Sequence, residues 1–160
     1  GQAGIEALSL GQAAASRLPE ELGQTLRTEL RQYGAPVHII RTVPARMKYD
    51  REEIHVTAGE SIRLIFENND TMPHNLVLVT IGSREEVGRA ADEMATQPRA
   101  WEKGYVPESK KVLQATRLLK PGESELLTFN VPVKPGKYEF VCTFPGHWRT
   151  MYGVFNVNPG

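Results

Sequence analysis

Cysteine is nearly absent from this chain of 160 residues: Cys142 is the only one. A lone cysteine excludes an internal disulfide, a structural zinc cage of several thiolates and a four-thiolate iron–sulfur cluster. It also excludes a CxxCH haem attachment. What remains is an inert core thiol, a reactive thiol or a single thiolate metal ligand. Long hydrophobic runs are missing too, and no stretch of 18 or more apolar residues offers a membrane-spanning helix. Charge of one sign is not in excess, with 19 Lys plus Arg against 19 Asp plus Glu. The basic footprint of a nucleic-acid binder is therefore missing, and no block of like charges suggests a disordered tail. Gly1–Ile5 shows no charged segment leading into an apolar one, as a secretory signal would.

What is present falls into two textures. Residues 1–34 are rich in Ala, Gln, Leu and Glu and show no alternation. Leu22, Leu26, Leu30 and Tyr33 recur at helical spacing and draw one apolar stripe. Pro19 near the start and Gly34 past the end bound a helix predicted over about 19–33. This part reads as an N-terminal helical extension or linker, packed on the domain C-terminal to it or joined to an upstream one. Residues 35–160 read as one domain of short strands. Val37–Val43, Glu53–Thr57, Ser61–Glu67, Asn75–Thr80, Val112–Leu118, Glu125–Val131, Lys137–Cys142 and Gly153–Val157 make about eight. Ala58-Gly59-Glu60 reads as a hairpin-type turn, and Pro121-Gly122 and Pro135-Gly136 mark further turns. The fold class is all-β, a β-sandwich. One helical insertion interrupts it. Ser83 is placed to cap a helix running to about Thr96, with Glu85 and Glu86 in its first turn and Val87, Ala90, Ala91 and Met94 as its apolar face.

The chemistry concentrates in Val141-Cys142-Thr143-Phe144-Pro145-Gly146-His147-Trp148-Arg149-Thr150-Met151. A thiolate, an imidazole and a thioether fall within ten residues of one another. A second imidazole, His74, lies in Met72-Pro73-His74-Asn75. Two histidines and a cysteine in a trigonal plane, with a weak axial methionine, are the ligand set of a type 1 copper site. Thiolate and thioether are soft donors, and imidazole suits copper in both oxidation states. The predicted metal ligands are His74, Cys142, His147 and Met151, holding one copper per chain. Asn75 is placed to support them, its backbone N–H toward the Cys142 sulfur and its side chain toward the Thr143 loop. His38 and His55 lack companions at ligand spacing and read as structural or surface residues. The Asn69-Asp70-Thr71 sequon is a short motif of the kind that arises by chance.

The segment Cys142-Thr-Phe-Pro-Gly-His147-x-x-x-Met151 resembles the ligand loop of azurin and auracyanin. Residues 105–116 resemble the azurin stretch after its helical flap, and the likeness covers roughly residues 36–158. It implies the Greek-key sandwich of the cupredoxins and a protein that shuttles single electrons rather than an enzyme. Two features depart from azurin. Pro73 stands where azurin has Gly, which argues against a second axial oxygen and for a four-coordinate site. The azurin disulfide is missing. The resemblance extends to cupredoxin modules of large bacterial redox proteins, some bearing haem domains. It thereby implies a periplasmic or otherwise exported setting, and a chain cut from a longer protein. The partner implied is a cytochrome c or an upstream haem domain, docking on an exposed apolar patch near Met72, Pro145, His147 and Trp148. An oxidase or reductase domain would need a further copper centre, for which only two more histidines remain. A copper-binding module of a larger multidomain redox enzyme is the alternative.

Overall fold

In the computed structural model, residues 33–160 are described, together with Leu22, Thr25 and Glu29. Leu22, Thr25, Glu29 and Tyr33 are helical, and the rest of the helix predicted over 19–33 lies outside the described residues. Nine strands come next, in the order β1 (Val37–Val43), β2 (Lys48–Tyr49), β3 (Glu53–Thr57), β4 (Ser61–Glu67), β5 (Val77–Val79), β6 (Val112–Ala115), β7 (Ser124–Asn130), β8 (Gly136–Val141) and β9 (Tyr152–Asn158). A helix, α1 (Arg84–Met94), lies between β5 and β6. The strands form two sheets, ordered β2-β1-β4-β7 and β3-β9-β8-β5-β6.

Alternation explains the pairing of these sheets. Ile62, Leu64 and Phe66 point inward from β4, and Ile54 and Val56 from β3. Phe140 and Phe155 share the same core cluster. Period-2 burial of this kind leaves one face per strand for the core. The strand β5 departs from it. Val77, Leu78 and Val79 are all buried, because α1 covers the outer face of its sheet. Val77, Val79, Val87, Val141 and Trp148 form a second apolar cluster there.

Two local expectations need correction. Ala58-Gly59-Glu60 does turn the chain, with the Glu60 N–H donating to the Thr57 carbonyl at 3.1 Å. It is no hairpin, however: β3 pairs in parallel with β9 and β4 antiparallel with β7, so this turn carries the chain from one sheet to the other. Ser83 stands at the start of α1 without capping it. Its hydroxyl bonds that of Thr80 instead. Among the described residues, no helix is long and apolar enough to cross a membrane.

Candidate metal centre

Two elements that end at the same pole of the sandwich bring the predicted ligands together. His74 sits just ahead of β5 and exchanges backbone hydrogen bonds with Leu119, at 3.1 and 2.8 Å. Cys142 directly follows β8. Its N–H donates to the Met151 carbonyl at 3.0 Å, which closes the intervening loop. Within that loop Gly146 takes a left-handed backbone, φ +81°, a conformation that suits glycine. The chain then enters a short 3-10 turn, His147–Arg149. The His147 N–H donates to the Phe144 carbonyl at 2.9 Å, and the Met151 N–H to the His147 carbonyl at 2.8 Å.

The sulfur of Cys142 lies 3.7 Å from Nδ1 of His74 and 3.6 Å from Nδ1 of His147. All three residues are buried, and their donor atoms lie within 4.8 Å of one another. A trigonal site with metal–nitrogen bonds near 2.0 Å and a metal–sulfur bond near 2.3 Å needs nitrogen–sulfur separations of about 3.7 Å. The observed triangle meets that requirement. Met151 is fully buried in the same core cluster as Cys142. Among the described residues this is the one grouping of three metal-ligating side chains. His38 and His55 stand apart from it, and His55 pairs with Glu53 at 3.4 Å.

The surrounding groups hold the triangle. Asn75 does what its position suggested. Its Oδ1 accepts from the Thr143 N–H at 2.8 Å, and its Nδ2 donates to Thr143 Oγ1 and to the Gly104 carbonyl at 2.7 and 2.9 Å. The backbone N–H groups of Asn75 and Phe144 face the Cys142 sulfur and favour its thiolate form. Asp70, which the chain hides inside a chance sequon, is buried and accepts from Nε2 of His74 at 3.0 Å. That leaves the Nδ1 lone pair facing Cys142, as a metal-bound histidine requires. Asp70 Oδ1 meanwhile accepts from the Ala45 and Thr71 N–H groups at 3.0 and 2.7 Å. Its four-residue spacing from His74 was the one available signal.

Trp148 corrects the expected docking patch. It is only 7% exposed, because its indole is buried under α1 with Val87. Met72 remains 40% exposed, Pro145 is half-buried, and the His147 ring lies beneath the surface against Phe144, with centroids 4.7 Å apart.

Burial pushes the Cys142 thiol up to about 12, although the Asn75 and Phe144 N–H groups oppose it. His147 is pushed down to about 4, first by burial and then by His74 beside it. Burial also lowers His74, against the pull of Asp70. Burial would raise the Asp70 carboxyl, but donors from Ala45, His74 and Thr71 outweigh it and hold the group below its ordinary value.

The histidine shifts set a pH dependence for the metal-free protein. Between about 4 and 6.5 the unfolded chain binds the His147 proton and the folded chain does not. Stability is therefore full above pH 6.5 and falls as pH drops toward 4, with His147 alone contributing about 3 kcal/mol. Urea unfolding at pH 7 and pH 4.5 reads this directly, and equal midpoints would contradict the buried-imidazole account.

Copper-binding proteins of the plastocyanin/azurin family match this chain over residues 39–158. The chain belongs to that family. Auracyanin-A of Chloroflexus aurantiacus is 32% identical over 114 residues, covering 70% of this chain and 68% of that one. Azurin of Pseudomonas aeruginosa is 36% identical over 91 residues, covering 55% and 58%. Auracyanin-B of Chloroflexus aurantiacus is 32% identical over 123 residues, and there the chain spans about half of the relative's length, 51%. The crystal structure of auracyanin from Roseiflexus castenholzii superposes with a TM-score of 0.68 at 32% identity, covering 79% of this chain and 100% of that one. The two-sheet fold and the His–Cys–His triangle are thus those of a cupredoxin blue copper domain.

Proposed function

We propose that this cupredoxin is a single-electron carrier in which His74, Cys142, His147 and Met151 would hold one type 1 copper. The observation that carries the reading is the preformed, buried triangle of one sulfur and two nitrogens, with edges of 3.6 and 3.7 Å at the sulfur. When bound, copper supplies a Cu(I)/Cu(II) couple that the soft thiolate and neutral imidazoles accommodate in both states. The protein's part is to keep these donors still. Asp70 fixes the His74 tautomer, Asn75 ties the two ligand segments, and the core excludes water. Four side-chain donors would fill the metal's positions and leave no place for a substrate, which favours transfer over catalysis.

His147, 4% exposed against 0% for His74 and Cys142, is the least buried of the three donors, and electrons would leave through its ring edge, toward the apolar patch expected at Met72 and Pro145. A cytochrome c or an upstream haem domain is the partner this small apolar surface suits, since transient redox contacts bury little area. An exported setting, periplasmic in a bacterium, accompanies this reading, as does a place as one module of a larger redox protein with residues 1–34 as its connection. Titration with Cu(II), followed by visible and electron paramagnetic resonance spectra, tests the proposal. The expected result is one tightly bound copper per chain with an intense sulfur-to-copper charge-transfer band, bleached reversibly by one electron. A colourless copper-loaded protein, or a second tight copper, would overturn it.

A further inference from the structure

Three residues of α1 share one stripe. Arg84, Gly88 and Asp92 are spaced four apart, so they align along a single helical face. That face is turned to the ligand loop rather than to solvent. Arg84 Nη1 donates to the Trp148 carbonyl at 3.0 Å, while its Nε is anchored on Glu139 at 2.9 Å. One turn on, a Cβ at Gly88 would come within 2.3 Å of the Trp148 indole. No other residue lets the indole sit so near the helix. One turn further, Asp92 takes hold of three donors. Its Oδ1 accepts from the Gly146 N–H at 2.8 Å. Its Oδ2 accepts from the Trp148 indole N–H at 2.8 Å and pairs with Arg149 at 3.0 Å.

Gly146 and Trp148 are the immediate neighbours of His147. The helix thus grips the chain on both sides of one predicted ligand without touching the ligand itself. We infer that the Arg84–Gly88–Asp92 stripe is a positioning clamp, and that Asp92 is the positioning residue that holds His147 in place whether or not metal is bound. Three features make it a device rather than incidental packing. Asp92 bonds backbone and side chain at once, so it fixes both the path of the loop and the seat of the indole. The indole is itself buried among Val77, Val79, Val87 and Val141, which ties the clamp to the sheet. Arg149 stacks over the Trp148 ring, 4.4 Å from its centroid, while bonding the same carboxylate. A ligand held in this way keeps its place as the charge at the site changes, and preorganisation of that kind lowers the rearrangement each electron transfer requires.

The test uses the full chain carrying Asp92→Ala or Asp92→Asn. In the metal-free protein, hydrogen exchange by NMR follows the Gly146 amide and the Trp148 indole proton. Asp92→Ala should speed both at least tenfold and leave the amides of β8 as they were. Asp92→Asn, which retains one acceptor oxygen, should release one proton and keep the other protected. In the copper-loaded protein, an arm that rests on the proposed carrier function, Asp92→Ala should slow electron self-exchange at least tenfold while the charge-transfer band persists. If Asp92→Ala fails to fold, Asp92→Asn carries the test alone, with one of the two protons expected to exchange at least tenfold faster than in the parent. Unchanged exchange at both protons would overturn the clamp, and so would a loosened loop with self-exchange within twofold of the parent. A colourless wild type would sink the carrier reading alone, because the metal-free exchange data stand apart from copper.

Discussion

Replacing Cys142 with serine is expected to remove the visible colour of the copper-loaded protein entirely. The band arises from charge transfer between thiolate sulfur and copper, and a serine hydroxyl has no such donor orbital at that energy. The side chain is fully buried beside two imidazole nitrogens, and with no second cysteine in the chain no other thiolate can replace it. Cys142 also holds its proton up to about 12 in the metal-free state. Copper must displace that proton, and binding should release it to solvent. Serine, far harder to ionise, leaves only two imidazoles and a thioether to bind. Copper affinity should fall by several orders of magnitude while the fold survives, because the Asn75 and Phe144 N–H groups that faced the sulfur can face the hydroxyl. Visible spectra and competitive copper titration, with far-ultraviolet circular dichroism as the folding control, decide the matter. Retention of a strong band near the wild-type intensity would remove Cys142 from the ligand set.

The second large effect is expected at Asp70. Its two oxygens are divided between separate tasks: Oδ1 serves the Ala45 and Thr71 amides, and Oδ2 serves His74 Nε2. An asparagine offers only one oxygen. Either its NH2 group faces two backbone donors, or it faces the imidazole. The first choice leaves buried donors opposed, at about 1–3 kcal/mol each. The second makes His74 accept at Nε2 and carry its proton on Nδ1, the atom that faces Cys142. Asp70→Asn should therefore lower copper affinity by about 10–100-fold, the usual consequence of losing a group that orients a metal ligand. The loss of negative charge should also raise the reduction potential, since the oxidised site carries the greater positive charge. Competitive copper titration and potentiometry read both effects. An affinity within threefold of wild type would show that His74 does not depend on Asp70 for its tautomer.

Much of this site lies open in the sequence, because three of its donors share one short loop. The spacing of Cys142, His147 and Met151 is a property of local chain geometry: a strand end, a tight turn through Gly146 and a 3-10 turn. Local alternation likewise defines β1, β3 and β4, whose ends match the expected ones. Strands that depend on distant neighbours are less legible. The segment expected to run over Val112–Leu118 stops as β6 at Ala115, and Leu119 returns only as a bridge to His74.

How remote segments meet is a matter of folding alone. His74 and Cys142 stand 68 positions apart, and only the pairing of β5 with β8 brings them together. The turn at residues 58–60 became a crossover because β3 and β4 belong to opposite sheets, a choice that no local pattern contains. Trp148 reads as a surface aromatic until α1 is laid over the outer face of β5 and β8, where Gly88 makes room for it. Asp70 and Asp92 look like ordinary solvated carboxylates in the chain. Each has its role from donors that folding supplies: a ligand imidazole for one, and the two neighbours of a ligand imidazole for the other. The order of residues is enough to say which atoms can bind copper. Which polar groups hold those atoms still depends on packing, because hydrogen-bond partners far apart in the chain are chosen by the fold and not by spacing.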